Sequence, residues 1–185
     1  RQAFVERFVS EMDKLSVGPA LDPTTQIGPV VSDTQLKSNL SYVEIARNEG
    51  CEVVSGQHLA ERNTGYFQRP GAFLNANNKM RSSREEIFGP VASIIKVDDF
   101  EEAVATANDT EFGLSSAICT RSLYYAREFK RLSEAGMAMV NLPTAGVDYH
   151  VPFGGRKNSS YGSREQGRAA IDFYTTTKTT YSFAG

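Results

Sequence analysis

Two cysteines and two histidines in 185 residues leave little material for cross-linking or metal chemistry. Cys51 and Cys119 form no CxxC pair and no disulfide framework, so reduced thiols and a cytoplasmic location are expected. Neither lies in a Gly-rich or His-containing stretch that would activate a thiolate, which points to structural roles for both. His58 and His150 stand far apart without partners at metal-ligand spacing, so no metal is expected. Charge of one sign is equally scarce in runs. The chain carries 20 Lys and Arg against 22 Asp and Glu, a net charge of -2. A nucleic-acid partner needs a basic patch or stripe, and none is present. No apolar run approaches the ~20 residues of a membrane span, and no charged-then-apolar leader opens the sequence. The first residues instead read as a helix already under way. No Ser-His-Asp arrangement can be drawn from spacing, and Gly154-Gly155 is not part of a GxGxxG fingerprint.

What is present is an ordinary globular composition, 40% hydrophobic and 23% charged. Phe4, Val5, Phe8, Val9, Met12 and Leu15 recur at helical spacing and predict a helix over 2–15. A Pro-rich connection, "PALDPTTQIGPVV", separates it from a second helix opened by Ser32 and Gln35 as a capping box and closed at Gly50. Leu36, Leu40, Val43 and Ile45 supply its apolar face. Strands follow in "CEVVS", "VASIIKV", "GLSSAICT" and "GMAMVN", and "YFQRPGAFLNA" reads as extended chain interrupted at Pro70-Gly71. Two helices lie between the last three strands. The first is capped by Asp98 or Asp99 and turns Phe100, Ala103, Val104 and Ala107 inward. The second buries Leu123, Ala126, Phe129 and Leu132. Alternating strands and helices predict an α/β fold with a mostly parallel twisted sheet and helices on both faces. A helix is expected over 163–172. The tail "FYTTTKTTYSF" has strong strand propensity and, as a lone edge, should pair with a second subunit.

Function should gather at strand ends and unusual loops. The loop "LPTAGVDYHVPFGGRKNSSYGSREQG" is long enough to suggest a binding role, with His150 beside Tyr149 and Phe153. "SREEIFGPV", residues 83–91, has two readings. Ser83 and Glu86 stand at capping-box spacing and could simply start a short helix. Alternatively, the Glu86 carboxylate accepts hydrogen bonds from vicinal hydroxyls, as on a ribose, while Phe88 offers a flat apolar wall to a heterocycle.

The motifs "GPALDPTTQIGPVVS", "GYFQRPGAF", "EEIFGPV", "PFGGRKNSSYGSREQG" and "YTTTKTTY" together resemble the aldehyde dehydrogenase superfamily along the whole chain. The resemblance is to the C-terminal part of its three-layer catalytic domain, here residues 1–172, followed by an oligomerisation strand, 173–185. It implies NAD or NADP as cofactor and oxidation of an aldehyde to a carboxylic acid through a cysteine thiohemiacetal and thioester. The nucleophilic cysteine and the general-base glutamate would lie before Arg1, leaving the isolated chain inactive. It implies cofactor contacts from Glu86, to the nicotinamide ribose, from Phe88, beside the nicotinamide ring, and from Gln35, toward the adenosine side. Ser38 stands where the family often has lysine. Phe153 would line the substrate tunnel, with Arg156 as a further contributor for a substrate carboxylate. Assembly as a homodimer or homotetramer through the C-terminal strand is implied as well. "SSYGSREQG" looks most like 2-oxoglutarate semialdehyde dehydrogenases, which act on 2,5-dioxopentanoate. Succinic semialdehyde, a long-chain aldehyde, or a non-catalytic assembly module are the alternatives.

Overall fold

The stripes of the first two helices bury against opposite faces of one small sheet. The computed structural model describes residues 2–60 and 65–185, and the chain divides into two compact units, Arg1–Val97 and Asp98–Gly185. In the first unit, α1 (Gln2–Asp13) and α2 (Asp33–Asn48) are followed by β1 (Glu52–Ser55), β2 (Gly71–Ala76), the one-turn helix α3 (Arg81–Arg84) and β3 (Val91–Ile95). The strand order is β1-β2-β3, with β1 antiparallel and β3 parallel to the central β2.

Because successive strand side chains point to opposite faces, β2 serves both layers. Ala72 and Leu74 meet Val5, Phe8, Val9 and Met12 of α1. Phe73 meets Val43 and Ala46 of α2 on the other face. Ala76 should fall with Ala72 and Leu74, yet it joins Phe73. The register shift between Leu74 and Ala76 explains this, since Asn75 sits at φ 61° and reverses the alternation. Ile94 of β3 faces α1 while Val91 and Ile95 face α2. The run read as covered on both faces is nevertheless only half-buried, with Ala92 and Lys96 exposed, because β3 is the edge strand of this sheet.

Helix ends follow their sequence signals. Ser32 accepts the Gln35 amide at 3.1 Å. Gly50, at φ 93°, closes α2 with Cys51 N–H on the Ala46 carbonyl and Gly50 N–H on Arg47, a Schellman pattern. Phe4, expected in the α1 stripe, is exposed, and the helix stops at Asp13, short of Leu15.

The second unit holds α4 (Phe100–Asn108), β4 (Ser115–Ile118), α5 (Leu123–Leu132), β5 (Met137–Val140) and α6 (Ala169–Tyr174). β4 and β5 pair in parallel across the α5 connection. Asp99 caps α4 by accepting the Glu102 amide at 2.8 Å. Phe129 and Val104 are buried, and the Phe100 and Tyr125 rings pack at 4.8 Å. Three expectations change here. Leu123, 88% exposed, and Leu132 do not join the buried side of α5, because they sit at its two ends. Ala107 turns outward on α4. The helix expected over 163–172 starts only at Ala169, because Glu165 pairs with Phe153 in a two-way backbone bridge and Gln166 and Gly167 take positive φ. Thr175–Gly185 is exposed and pairs with no strand of the described residues. No helix among the described residues is long and apolar enough to cross a membrane.

The α/β class expected from the sequence is therefore present, with one antiparallel pair at β1. Phe73 has no exposed surface and is the side chain on which α2 closes. Phe73→Ala should lower unfolding free energy by about 3–5 kcal/mol, read as a reduced urea midpoint with an unchanged slope.

Candidate functional site

In the first unit, the Pro-rich connection and the segment after α3 converge on a cleft of about 530 Å³. That volume lies within the ~300–1,000 Å³ of small-molecule sites. Pro29, Val31, Gln35, Glu86, Phe88 and Pro90 line it. Three of the four residues singled out from sequence thus share one cleft. The Pro-rich connection is held by its own turns. Asp22 Oδ1 accepts the Thr24 amide at 2.9 Å, Gly18 N–H donates to Ile27, and Val30 N–H donates to Tyr66 at 2.8 Å.

The capping-box reading of Ser83 and Glu86 does not survive. α3 begins one turn earlier, at Arg81, and ends before Glu86. Its amides are capped from outside by Glu49 at the end of α2. Glu49 Oε1 accepts Arg81 N–H at 2.7 Å, and Oε2 accepts Ser82 N–H at 3.2 Å and the Ser82 hydroxyl at 2.7 Å. Burial works against the charge on Glu49, but these donors and the Arg81 charge outweigh it and keep its pKa below the usual carboxylate range.

The two adjacent acids have opposite fates. Glu85 is tied to Arg81, Nε at 2.7 Å and Nη2 at 3.0 Å, and to the Tyr42 hydroxyl at 2.5 Å. The Arg81 hydrogen bonds, then that of Tyr42, hold its pKa down at about 2. Glu86 makes no hydrogen bond or ion pair with any described residue, and its carboxylate lies open on the cleft. Phe88 is stranger. Its backbone sits at φ 58°, a region that bulky residues avoid, and its ring is 77% exposed. An aromatic ring held in solvent by a strained backbone, next to a free carboxylate, is a feature that packing does not require.

What holds this segment lies beneath it. Gln35 does not complete the expected capping box. Its Nε2 donates to the Ile87 carbonyl at 2.9 Å. The Asn39 amide, with no exposed surface, sits 2.8 Å from Gln35 and 3.0 Å from Gln68, itself 1% exposed. Gln68 Nε2 donates to the Gly56 carbonyl at 2.9 Å. Sequence reading missed Asn39 and Gln68. The available signal was Asn39 standing three residues from Leu36 and four from Val43, a polar residue on an apolar helical face.

Phe153 belongs to the second unit, where it is half-buried. Its N–H donates to Glu165 at 2.7 Å and its carbonyl accepts the Glu165 amide at 2.9 Å. Arg156 is exposed, and its backbone amide donates to Gly113 at 2.9 Å. Lys157, unassigned in the sequence, stitches this loop to the end of α4. Its Nζ donates to the carbonyls of Asn108 at 2.5 Å and Thr110 at 3.0 Å and pairs with Glu134 at 2.6 Å. Cations at a helix C-terminus are stabilised by the free carbonyls there. Cys51 is buried against Met80, and burial pushes its thiol pKa up, whereas Cys119 is exposed just past β4.

The aldehyde dehydrogenase family model matches residues 1–180. An alpha-ketoglutarate semialdehyde dehydrogenase of Haloferax volcanii is 44% identical over 182 residues, covering 96% of this chain and 37% of its own length. A betaine aldehyde dehydrogenase of Cereibacter sphaeroides is 38% identical over 181 residues, covering 98% of this chain and 37% of that protein. The chain thus spans little more than a third of the curated relatives it matches. Among solved structures, a Mycobacterium tuberculosis aldehyde dehydrogenase complexed with NAD+ superposes with a TM-score of 0.88. It is 32% identical over 98% of this chain and 38% of that one.

The carboxylate of Glu85 gives a pH test. Its folded pKa, about 2, lies below the ordinary 4.5. Its contribution to stability is therefore complete above 4.5 and disappears as pH falls through about 2. Thermal midpoints measured across this window should fall with acid, and Glu85→Gln should flatten that fall by lowering the midpoint at neutral pH.

Proposed function

This chain belongs to the aldehyde dehydrogenase family, and on that premise we propose that it supplies the coenzyme-facing wall of an NAD(P)-dependent enzyme oxidising a semialdehyde to a carboxylic acid. One observation carries the reading. The free Glu86 carboxylate and the exposed, strained Phe88 ring open on the same cleft. The fit is chemical. Glu86 can accept two hydrogen bonds from the vicinal hydroxyls of the nicotinamide ribose, and Phe88 can lie against the nicotinamide ring. A nicotinamide cofactor held by Glu86 and Phe88 would supply the hydride acceptor for the oxidation. Gln35, committed to the Ile87 carbonyl, acts on the cleft wall before any contact with the adenosine side. The pairing of Glu86 with Phe88 fixes where the ring of the cofactor lies, and the charge of Glu86 is left free by Glu85, which takes up Arg81 instead.

The chemistry runs through a cysteine thiohemiacetal and a thioester, with nucleophile and general base from polypeptide outside these 185 residues. The 185 residues alone are then inactive. Phe153 contributes to the substrate tunnel, and Arg156 to binding a substrate carboxylate. The 44% identity to an alpha-ketoglutarate semialdehyde dehydrogenase favours 2,5-dioxopentanoate as substrate. The exposed strip Thr175–Gly185, rich in Thr and aromatics, pairs with a second subunit in a homodimer or homotetramer. Two reduced thiols fit a cytoplasmic location.

In the complete protein, Glu86→Gln and Phe88→Ala should each slow single-turnover hydride transfer by about tenfold or more. Unchanged transfer in both refutes the coenzyme reading. A panel of 2,5-dioxopentanoate, succinic semialdehyde, betaine aldehyde and a long-chain aldehyde, each with NAD and NADP, identifies substrate and cofactor from kcat/KM. Deleting 174–185 should reduce the assembled mass in light scattering.

A further inference from the structure

We infer that Asn39 is the positioning residue for the aromatic wall of the cleft. It holds the Ile87–Gly89 segment so that Phe88 keeps its left-handed backbone and presents its ring outward. The inference rests on the coenzyme reading of the cleft and adds a residue to it. Among the described residues no hydrogen bond or ring contact holds Phe88 itself, which is 77% exposed at φ 58°. The constraint comes from both neighbours.

On one side, Ile87 offers its carbonyl to Gln35 Nε2, and the Gln35 amide is in turn fixed 2.8 Å from Asn39. On the other side, Gly89 lies directly on the Asn39 amide. A Cβ at position 89 would stand 2.6 Å from Asn39 Nδ2 and 2.7 Å from its Cγ, closer than any side chain tolerates. Gly89 is thus required by the approach of a buried amide, not by its φ. Asn39 cannot swing away, since it is fully buried and its amide is shared with Gln68, which is anchored on the Gly56 carbonyl. A buried amide flanked by polar groups is held in place, because moving it out of reach of Gln35 and Gln68 would leave buried polar groups unpaired. Through this chain of contacts the backbone on both sides of Phe88 is referred to α2 and to the end of β1.

The test uses the complete protein that carries this chain. Asn39→Ala should slow single-turnover hydride transfer by about tenfold, since small misplacement of a reacting ring is costly. Affinity for ADP-ribose, which keeps both riboses and the diphosphate of the coenzyme and lacks only the nicotinamide ring that Phe88 would face, should stay within about twofold. Gln35→Leu should slow hydride transfer in the same sense by less, again with ADP-ribose affinity kept. Gly89→Ala should mimic Asn39→Ala, and the double substitution should be no worse than either single one, because the added Cβ clashes only with the Asn39 amide that the other substitution removes.

Additive losses in the double variant overturn the direct contact. Equal loss of ADP-ribose binding and hydride transfer overturns positioning in favour of general loosening. Normal transfer in both Asn39→Ala and Gln35→Leu, with Glu86→Gln and Phe88→Ala impaired, overturns the positioning role alone. Normal transfer in all four overturns the coenzyme reading with it. If Asn39→Ala does not fold, Gln35→Leu, whose side chain is only half-buried, decides by the same two readouts.

Discussion

The contact between the buried Asn39 amide and the bare Cα of Gly89 is the constraint from which the cleft follows. A phenylalanine at positive φ costs on the order of 1–3 kcal/mol, and it persists only where the surroundings over-determine it. Here the surroundings are polar. Three side-chain amides, from Gln35, Asn39 and Gln68, run beneath the strained turn from the Ile87 carbonyl to the Gly56 carbonyl. Burial of apolar surface closes the sheet against α1 and α2, but these hydrogen bonds decide the conformation at the cleft. Hydrogen bonds are directional and hydrophobic burial is not, so the division of labour is physical.

Electrostatics divide the same way. Glu49 caps the single turn of α3, and Arg81 and Tyr42 take up Glu85 at its end. One residue later the chain has left that network, and Glu86 keeps its acceptor oxygens open on the cleft. Adjacent carboxylates therefore serve different ends: one orders the backbone and the other remains available.

The second unit builds its loop by comparable means. Lys157 joins the carbonyls at the end of α4 to Glu134, Asn158 bonds Glu111, and Ser159 accepts the Gly113 amide. The Phe153–Glu165 bridge then closes the loop on itself. Arg164, with Nη1 on the Gly155 carbonyl, occupies the space that side chains at Gly136 and Gly154 would need. Long loops without regular structure are ordered here by side chains bonding to backbone, which is why small residues cluster in them.

The sequence by itself determined the α/β class, most helix boundaries, and the pairing of Glu86 with Phe88. Each depends on local chemistry: the Ser32 and Asp99 hydrogen bonds to amides three residues on, the positive φ of Gly50, and the period of apolar side chains. Family motifs pointed to Glu86, Phe88, Gln35 and Phe153, and the first three meet in one cleft. Only the tertiary structure decided the rest. The Asn75 bulge that turns Ala76 to the α2 face, the bridge that delays α6 to Ala169, the outward Leu123, and the external cap from Glu49 all join residues distant in sequence or set by strand register. Gln35 shows the difference most plainly. Its position at the start of α2 was legible as a cap, but its side chain bonds a carbonyl fifty-two residues away, and pairings at that range are settled by packing and not by local propensity.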